Sequence, residues 1–156
     1  MIDPRTFRDA LGRFATGITV VSSEDGDGVP RGITVNAFLS LSLQPPLVGV
    51  SIDRSAHAHD GLVRAERYGV SMLAAGQSWL SDLFAGRPID ARPSWVRLDG
   101  VPVLEGALAQ LACRVVERVP VGDHTLFVGE VEAAVTYDVA PLVYHRGRYG
   151  GYREDR

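Results

Sequence analysis

Five short stretches of this 156-residue sequence bring together groups that could do chemistry. GDHTLFVGEV, residues 122–131, sets Asp123 beside His124 just ahead of Leu126, Val128 and Val131, the apolar positions of a strand. A hairpin turn explains Gly122 and Asp123 but leaves His124 unexplained. An imidazole at a strand mouth can give one ring nitrogen to a carboxylate or carbonyl while the other faces a ligand. An ordinary rim histidine is the alternative. VYHRGRY, 143–149, holds two arginines, two tyrosines and a histidine. Arginines beside stacking rings suit the adenine and phosphates of a dinucleotide, although surface decoration would explain some of them. In SIDRSAHAHDG, 51–61, Ser55 is placed to cap a helix whose free N–H groups could hold a phosphate, with Arg54 or His59 adding charge. A plain capped surface helix is the competing account. His57 and His59 stand two apart and point to different helix faces, so no metal site is expected.

GITVNAFLSLS, 32–42, carries short hydroxyl, amide or methyl side chains at Thr34, Asn36, Ala37, Ser40 and Ser42. A strand with so little bulk leaves its backbone amides open to a flat ligand, and a flavin's pyrimidine edge needs such alternating donors and acceptors. On composition alone, a half-exposed edge strand with its polar residues facing water is the better account. In DLFAGRP, 82–88, Phe84 could wall an aromatic ligand or anchor its helix to the core.

Several elements must position these groups. Asp3 and Pro4 begin a helix carrying Phe7, Ala10, Leu11 and Phe14 at helical spacing, with Gly17 as its stop. GITVVSS and a run from Val29 through Ile33, Val35 and Phe38 form a hairpin about the DGDG turn at 25–28. LVGVSI and YGVSMLA read as strands, and QSWLSDLFAGR as a helix ended by Gly86. A Pro-rich crossing occupies 88–102. ALAQLACRVVERV and HTLFVGEVEAAV are the arms of a long hairpin turned at Pro120 to Asp123, and PLVYHRGRYGGY supplies a last strand. Six or more hairpin-connected strands with scattered helices predict a mainly β, closed antiparallel barrel.

Composition narrows the function classes. Hydrophobic content of 46% and charged content of 22% predict one domain, 1–156, with a single core. All sixteen cationic residues are arginine; without lysine there is no Schiff base and no Walker-type phosphate lysine. A net charge of −3 with scattered arginines argues against nucleic acid. No apolar run approaches the roughly 20 residues that span a bilayer, and no secretion signal is evident, so a cytoplasmic protein without membrane contact is expected. Cys113, the one cysteine, reads as a buried core thiol.

Taken in order, FRDALGRFATGITVV, GITVNAFLSLSLQPPLVGVSID, LSDLFAG, PVLEGALAQLACRV, GDHTLFVGEV and PLVYHRGRY resemble the short-chain flavin reductases, the NAD(P)H-dependent small components of two-component flavin monooxygenases. The resemblance covers about residues 5 to 149. It implies a Greek-key split β-barrel related to FMN-binding proteins, a homodimer, and a flavin groove near the subunit interface. It places flavin contacts on Thr34, Val35, Asn36 and Ala37, then Ser40 and Leu41, with Ser51, Ile52 and Asp53 following. Ser55 and His59 fall near the phosphate end, and Phe84, Ala85, Gly86 and Arg87 on another flavin-side segment. Asp123 and His124, with Tyr144, Arg148 and Tyr149, fall where relatives place NADH or NADPH. Relatives often carry Asn in the strand where this chain has Ser71 and Ala74.

The implied reaction passes a hydride from the nicotinamide to FMN or FAD, in stacked contact at about 3 to 3.5 Å. His124 positions the nicotinamide as a donor, and Asp123 steadies either the turn or the imidazole tautomer. The reduced flavin then diffuses to a separate monooxygenase. Two alternatives use the same fold: a flavin-binding module without reductase activity, and a flavin-retaining oxidase of the pyridoxamine-phosphate-oxidase type. The GDH and YHRGRY motifs favour the reductase.

Overall fold

The computed structural model describes all residues, Met1–Arg156. Helix α1 (Pro4–Gly12) starts as predicted, with the Asp3 carboxylate accepting from Thr6 N at 3.0 Å and Pro4 in the first turn. It stops five residues before the expected Gly17. Arg13 caps it, and Thr16–Gly17 instead form a short strand, β1. No residue of α1 is buried, and Phe7, Leu11 and Phe14 stand exposed.

Seven strands build the main sheet: β2 (Thr19–Glu24), β3 (Pro30–Val35), β4 (Phe38–Leu43), β5 (Pro46–Asp53), β6 (Arg67–Met72), β9 (Ala109–Val121) and β10 (His124–Thr136). Their order is β3-β2-β6-β9-β10-β5-β4, with every pairing antiparallel. The run expected from Val29 to Phe38 is therefore two strands. Asn36 and Ala37 join β3 to β4, the two opposite edges of the sheet. A two-residue link reaches only about 10 Å, so the sheet must curl until its edges are neighbours. No ladder forms between those edges, and the expected closure by hydrogen bonding is not seen. What crosses near the seam is a single bond, Ser51 N donating to Ala37 O at 3.1 Å.

The curl encloses Val21, Val50, Ile52, Tyr68, Val70, Cys113 and Phe127, all nearly inaccessible. A smaller apolar cluster, Ile18, Val20, Leu73, Leu80, Leu104 and Leu142, seats α3 (Ser78–Phe84). Gly86 ends α3 with φ +90°, as expected. The long hairpin β9–β10 turns at Gly122-Asp123.

Two hairpins were not anticipated. Within the supposed Pro-rich crossing, β7 (Trp95–Leu98) and β8 (Val101–Leu104) pair about Asp99-Gly100, both at positive φ. Asp-Gly is a strong signal for this mirror-image turn. The expected last strand is likewise β11 (Val143–His145) and β12 (Arg148–Gly150), folded at Arg146-Gly147 with φ +52° and +75°. Arginine rarely adopts that conformation, which hid the turn. β1 pairs with β11 through Thr16 and Tyr144. No helix is long and apolar enough to cross a membrane.

Candidate active site

A cleft of about 560 Å³ opens where β3, α3 and the β11–β12 hairpin meet. Thr34 and Asn36 line one side, Ala85 and Arg87 another, and Tyr144, Arg148 and Tyr149 the third. These seven residues come from three of the sequence stretches singled out above. Alternation along β3 explains the floor: Val35 turns into the core and Thr34 and Asn36 turn away from it. As an edge strand, β3 also presents backbone groups with no ladder partner on its open side. Thr34 Oγ1 donates to Ser81 O at 2.6 Å, fixing α3 against the floor. Phe84 does not enter this cleft. Its ring packs edge-on to Trp95 at 5.6 Å and against Gly32, where a Cβ would come within 3.0 Å of it. It anchors the helix. Gly86 supplies the turn that presents Arg87.

Ser81 and Asp82 line the cleft too, and sequence reasoning passed over both. Tyr149 reaches across from β12 to them, its oxygen 2.6 Å from Asp82 Oδ1 and 2.9 Å from Ser81 Oγ. A carboxylate only accepts, so the tyrosine hydroxyl donates to Asp82 and accepts from Ser81. Desolvation and the Asp82 hydrogen bond push the Tyr149 pKa upward, keeping this donor protonated. Arg87 also meets Asp82, Nη1 to Oδ1 at 3.4 Å. The Asp82–Arg87 spacing inside DLFAGR was the available signal.

The second group of expected residues gathers at the far end of β5. His124 is the register partner of Asp53, Thr125 of Ile52 and Leu126 of Ser51. A carboxylate oxygen of Asp53, one of Asp123 and a ring nitrogen of His124 all lie within 4.8 Å of one another. His124 Nδ1 is 2.6 Å from Asp123 Oδ1. Because the carboxylate must accept, Nδ1 carries the proton and Nε2 is left for a ligand. A neutral ring thus offers an acceptor there, and only a protonated ring the donor expected from sequence. Arg54 stitches the two strand ends together: its backbone N donates to Asp123 O at 3.0 Å, and its guanidinium to the carbonyls of Gly122 and His124.

Ser55 does not cap a helix. Helix α2 (His59–Arg64) begins four residues later, with Ala58 at its cap. Asp53 Oδ1 takes the backbone N and the hydroxyl of Ser55 at 2.8 and 2.7 Å, a local turn that outcompetes helical geometry. Those two bonds lower the Asp53 pKa. His59 is 7% exposed, with Nδ1 3.1 Å from Asp60 Oδ1 and Nε2 2.8 Å from Thr125 Oγ1. Both its nitrogens are engaged inside the protein. Ile52 is buried, Leu41 exposed, and Ser40 lies on the β4 edge. Ser71 and Ala74 are also buried, and the Ser71 hydroxyl accepts from Leu104 N at 2.8 Å.

The two groups are joined by chain. Asn36 borders the cleft, Ala37 receives the bond from Ser51, and Ser51 lies two residues before Asp53, the partner of His124. A track of small residues thus runs from the cleft to the GDH turn.

Residues 11–153 match the family model described as flavin reductase like domain. An NADH-dependent flavin reductase of a Rhodococcus species is 47% identical over 154 residues, covering 95% of this chain and 86% of that protein. The solved flavin reductase of the styrene monooxygenase of Pseudomonas putida S12 superposes with TM-score 0.89 at 41% identity, covering 96% and 99% of the two chains. The NADH:FAD oxidoreductase of Streptomyces globisporus C-1027, solved with NAD and FAD fragments, gives TM-score 0.90 at 34% identity, covering 99% and 98%.

Proposed function

The chain belongs to the flavin reductase like domain family, and from that membership we propose that it oxidises NADH, reduces FMN or FAD, and releases the reduced flavin to a separate monooxygenase. The observation that carries the reading is the single cleft lined by residues from β3, the α3 terminus and the last hairpin. Its volume lies in the range of small-molecule sites, and its floor of Thr34 and Asn36 has no bulk to obstruct a planar ring. When bound, the nicotinamide supplies a hydride and the flavin accepts it.

The chain's own part is positioning and electrostatics. Backbone groups along Thr34 to Ala37 face the donor and acceptor edge of the flavin and stabilise the charge that reduction leaves there. Arg87 takes the flavin phosphate. Ser55 is a poorer candidate, since its amide and hydroxyl hydrogens are both given to Asp53. His124 Nε2 accepts from the nicotinamide carboxamide, with Asp123 holding the ring in that tautomer. Tyr144, Arg148 and Tyr149 wall the nicotinamide side. NADH is preferred over NADPH, as in the relatives' names.

The family's split barrel accounts for the sheet's curl, with the seam at Asn36-Ala37 as the split. The whole chain acts as one domain in the cytoplasm, and as a homodimer. The dimer reading rests on the exposed Leu11 and Phe14, which line an apolar groove of about 710 Å³ with Phe38 and Leu39, beside Asn36 and Ala37.

The test is NADH oxidation by purified protein with FMN, FAD or riboflavin, followed by gel filtration of the reduced mixture. Rapid oxidation with flavin eluting apart from protein supports the reading. Tight flavin without oxidation indicates a binding module, and reduced flavin retained on the protein an oxidase; either result overturns it.

A further inference from the structure

We propose that Asp82 is a positioning residue that couples the two walls of the cleft, holding Arg87 for the flavin and Tyr149 for the nicotinamide nucleotide through one carboxylate. The inference rests on the function proposed above and adds a residue to it. Asp82 lies in the body of α3, whose placement is fixed independently by Leu80 in the core and by the Thr34–Ser81 bond. The helix is therefore a stationary mount.

The outer strand of the hairpin opposite is less firmly held. β11 is secured by two residues of β1, by Arg146 N donating to Gly12 O at 2.9 Å, by Leu142 N donating to Leu73 O at 3.0 Å just ahead of it, and by Tyr144 packing on the cluster that seats α3. β12 has three residues, all exposed, and pairs only with β11. Its side-chain tie to α3 is the Tyr149 hydroxyl on Ser81 and Asp82. Arg87 is equally unsupported by packing: its side chain is 70% exposed, beyond a helix that ends at Phe84. One carboxylate oxygen serves both partners, at 2.6 and 3.4 Å. The geometry therefore predicts that removing Asp82 disturbs two ligands at once without its touching either.

Conservative variants separate the two tasks. Tyr149→Phe removes only the hairpin tie, and should raise the KM for NADH about fivefold, the effect of one ordinary hydrogen bond, while flavin Kd moves less. Asp82→Asn keeps an acceptor for Tyr149 but loses the charge facing Arg87. It should raise flavin Kd about two- to threefold, in keeping with an exposed ion pair, with a smaller change in the KM for NADH. Asp82→Ala should shift both. Flavin Kd is read by fluorescence quenching and KM by steady-state kinetics, with melting temperature as the control for folding. If Asp82→Ala leaves flavin Kd and KM as in the wild type, or if Asp82→Asn and Asp82→Ala shift both equally, the coupling is refuted. A wild-type protein that binds flavin but does not oxidise NADH fails the functional reading instead. Should Asp82→Ala not fold, the Tyr149→Phe and Asp82→Asn pair decides: an identical pattern in both refutes the coupling, and the opposite splits predicted above support it.

Discussion

His124 commits one ring nitrogen to Asp123 and keeps the other for whatever lies outside the strand mouth. His124→Ala should lower kcat/KM for NADH about tenfold, the equivalent of one lost hydrogen bond of about 1.4 kcal/mol, while flavin Kd stays close to wild type. Stopped-flow reduction and flavin titration check this, and unchanged kinetics would remove His124 from the nicotinamide side. Asp53 belongs to the same turn, and its depressed pKa has a definite sign. A carboxyl whose folded pKa lies below its unfolded value adds stability above the ordinary carboxylate range and loses it as pH falls through the folded value. The stability difference between wild type and Asp53→Asn should therefore be full at neutral pH and shrink on acidification, as read by denaturant titration at a series of pH values. At this scale the sequence was partly legible. GDH announced an imidazole beside a carboxylate, because adjacency in sequence made the contact. The helix cap expected at Ser55 was overridden by a local turn onto Asp53, and the inward placement of His59 follows from Thr125, 66 residues away, so neither was visible in its own stretch.

Strand pairing imposes demands that no single stretch reveals. β6 lies between β2 and β9, and β8 crosses close to it at Gly69, where a Cβ would stand 2.5 Å from Pro102 O and 2.8 Å from Ser22 Oγ. Neither the backbone oxygen nor the buried serine has room to move. Gly69→Ala should cost about 2–3 kcal/mol and lower Tm by about 5–10 °C in calorimetry. The same strand buries the Tyr68 hydroxyl without a conventional partner, facing the Cys113 thiol. Burial raises the tyrosine pKa and pushes the thiol up to about 12, so both stay neutral. Tyr68→Phe removes an unsatisfied buried oxygen and should leave stability unchanged or raise it by about 1 kcal/mol, measured by urea unfolding. Most elements were readable from periodicity and turn residues. The β7–β8 hairpin was obscured by the surrounding prolines, and the last hairpin by an arginine in a left-handed turn position. The break at Asn36-Ala37 left no mark, since polar residues at an edge and at a seam look alike in sequence.

In the whole molecule, the sheet's two edges meet where the cleft, the Asn36-Ala37 seam and the apolar groove adjoin. Phe7 and Leu11 on α1, and Phe14 just beyond it, stay exposed although they recur at helical spacing. In the proposed dimer a second copy covers them, and periodicity alone does not say what an apolar face packs against. Phe14→Glu should convert a dimer to monomer in sedimentation velocity and weaken flavin binding as well, because the groove borders Asn36. A wild-type monomer would contradict the dimer. The central claim, that this cleft brings a nicotinamide and a flavin into direct contact, is tested most directly by anaerobic mixing of protein and flavin with NADH deuterated at the transferred position. The account predicts loss of flavin colour in one-to-one proportion with NADH consumed, slowed by the deuterium. NADH consumption without loss of flavin colour, or no consumption at all, would contradict it.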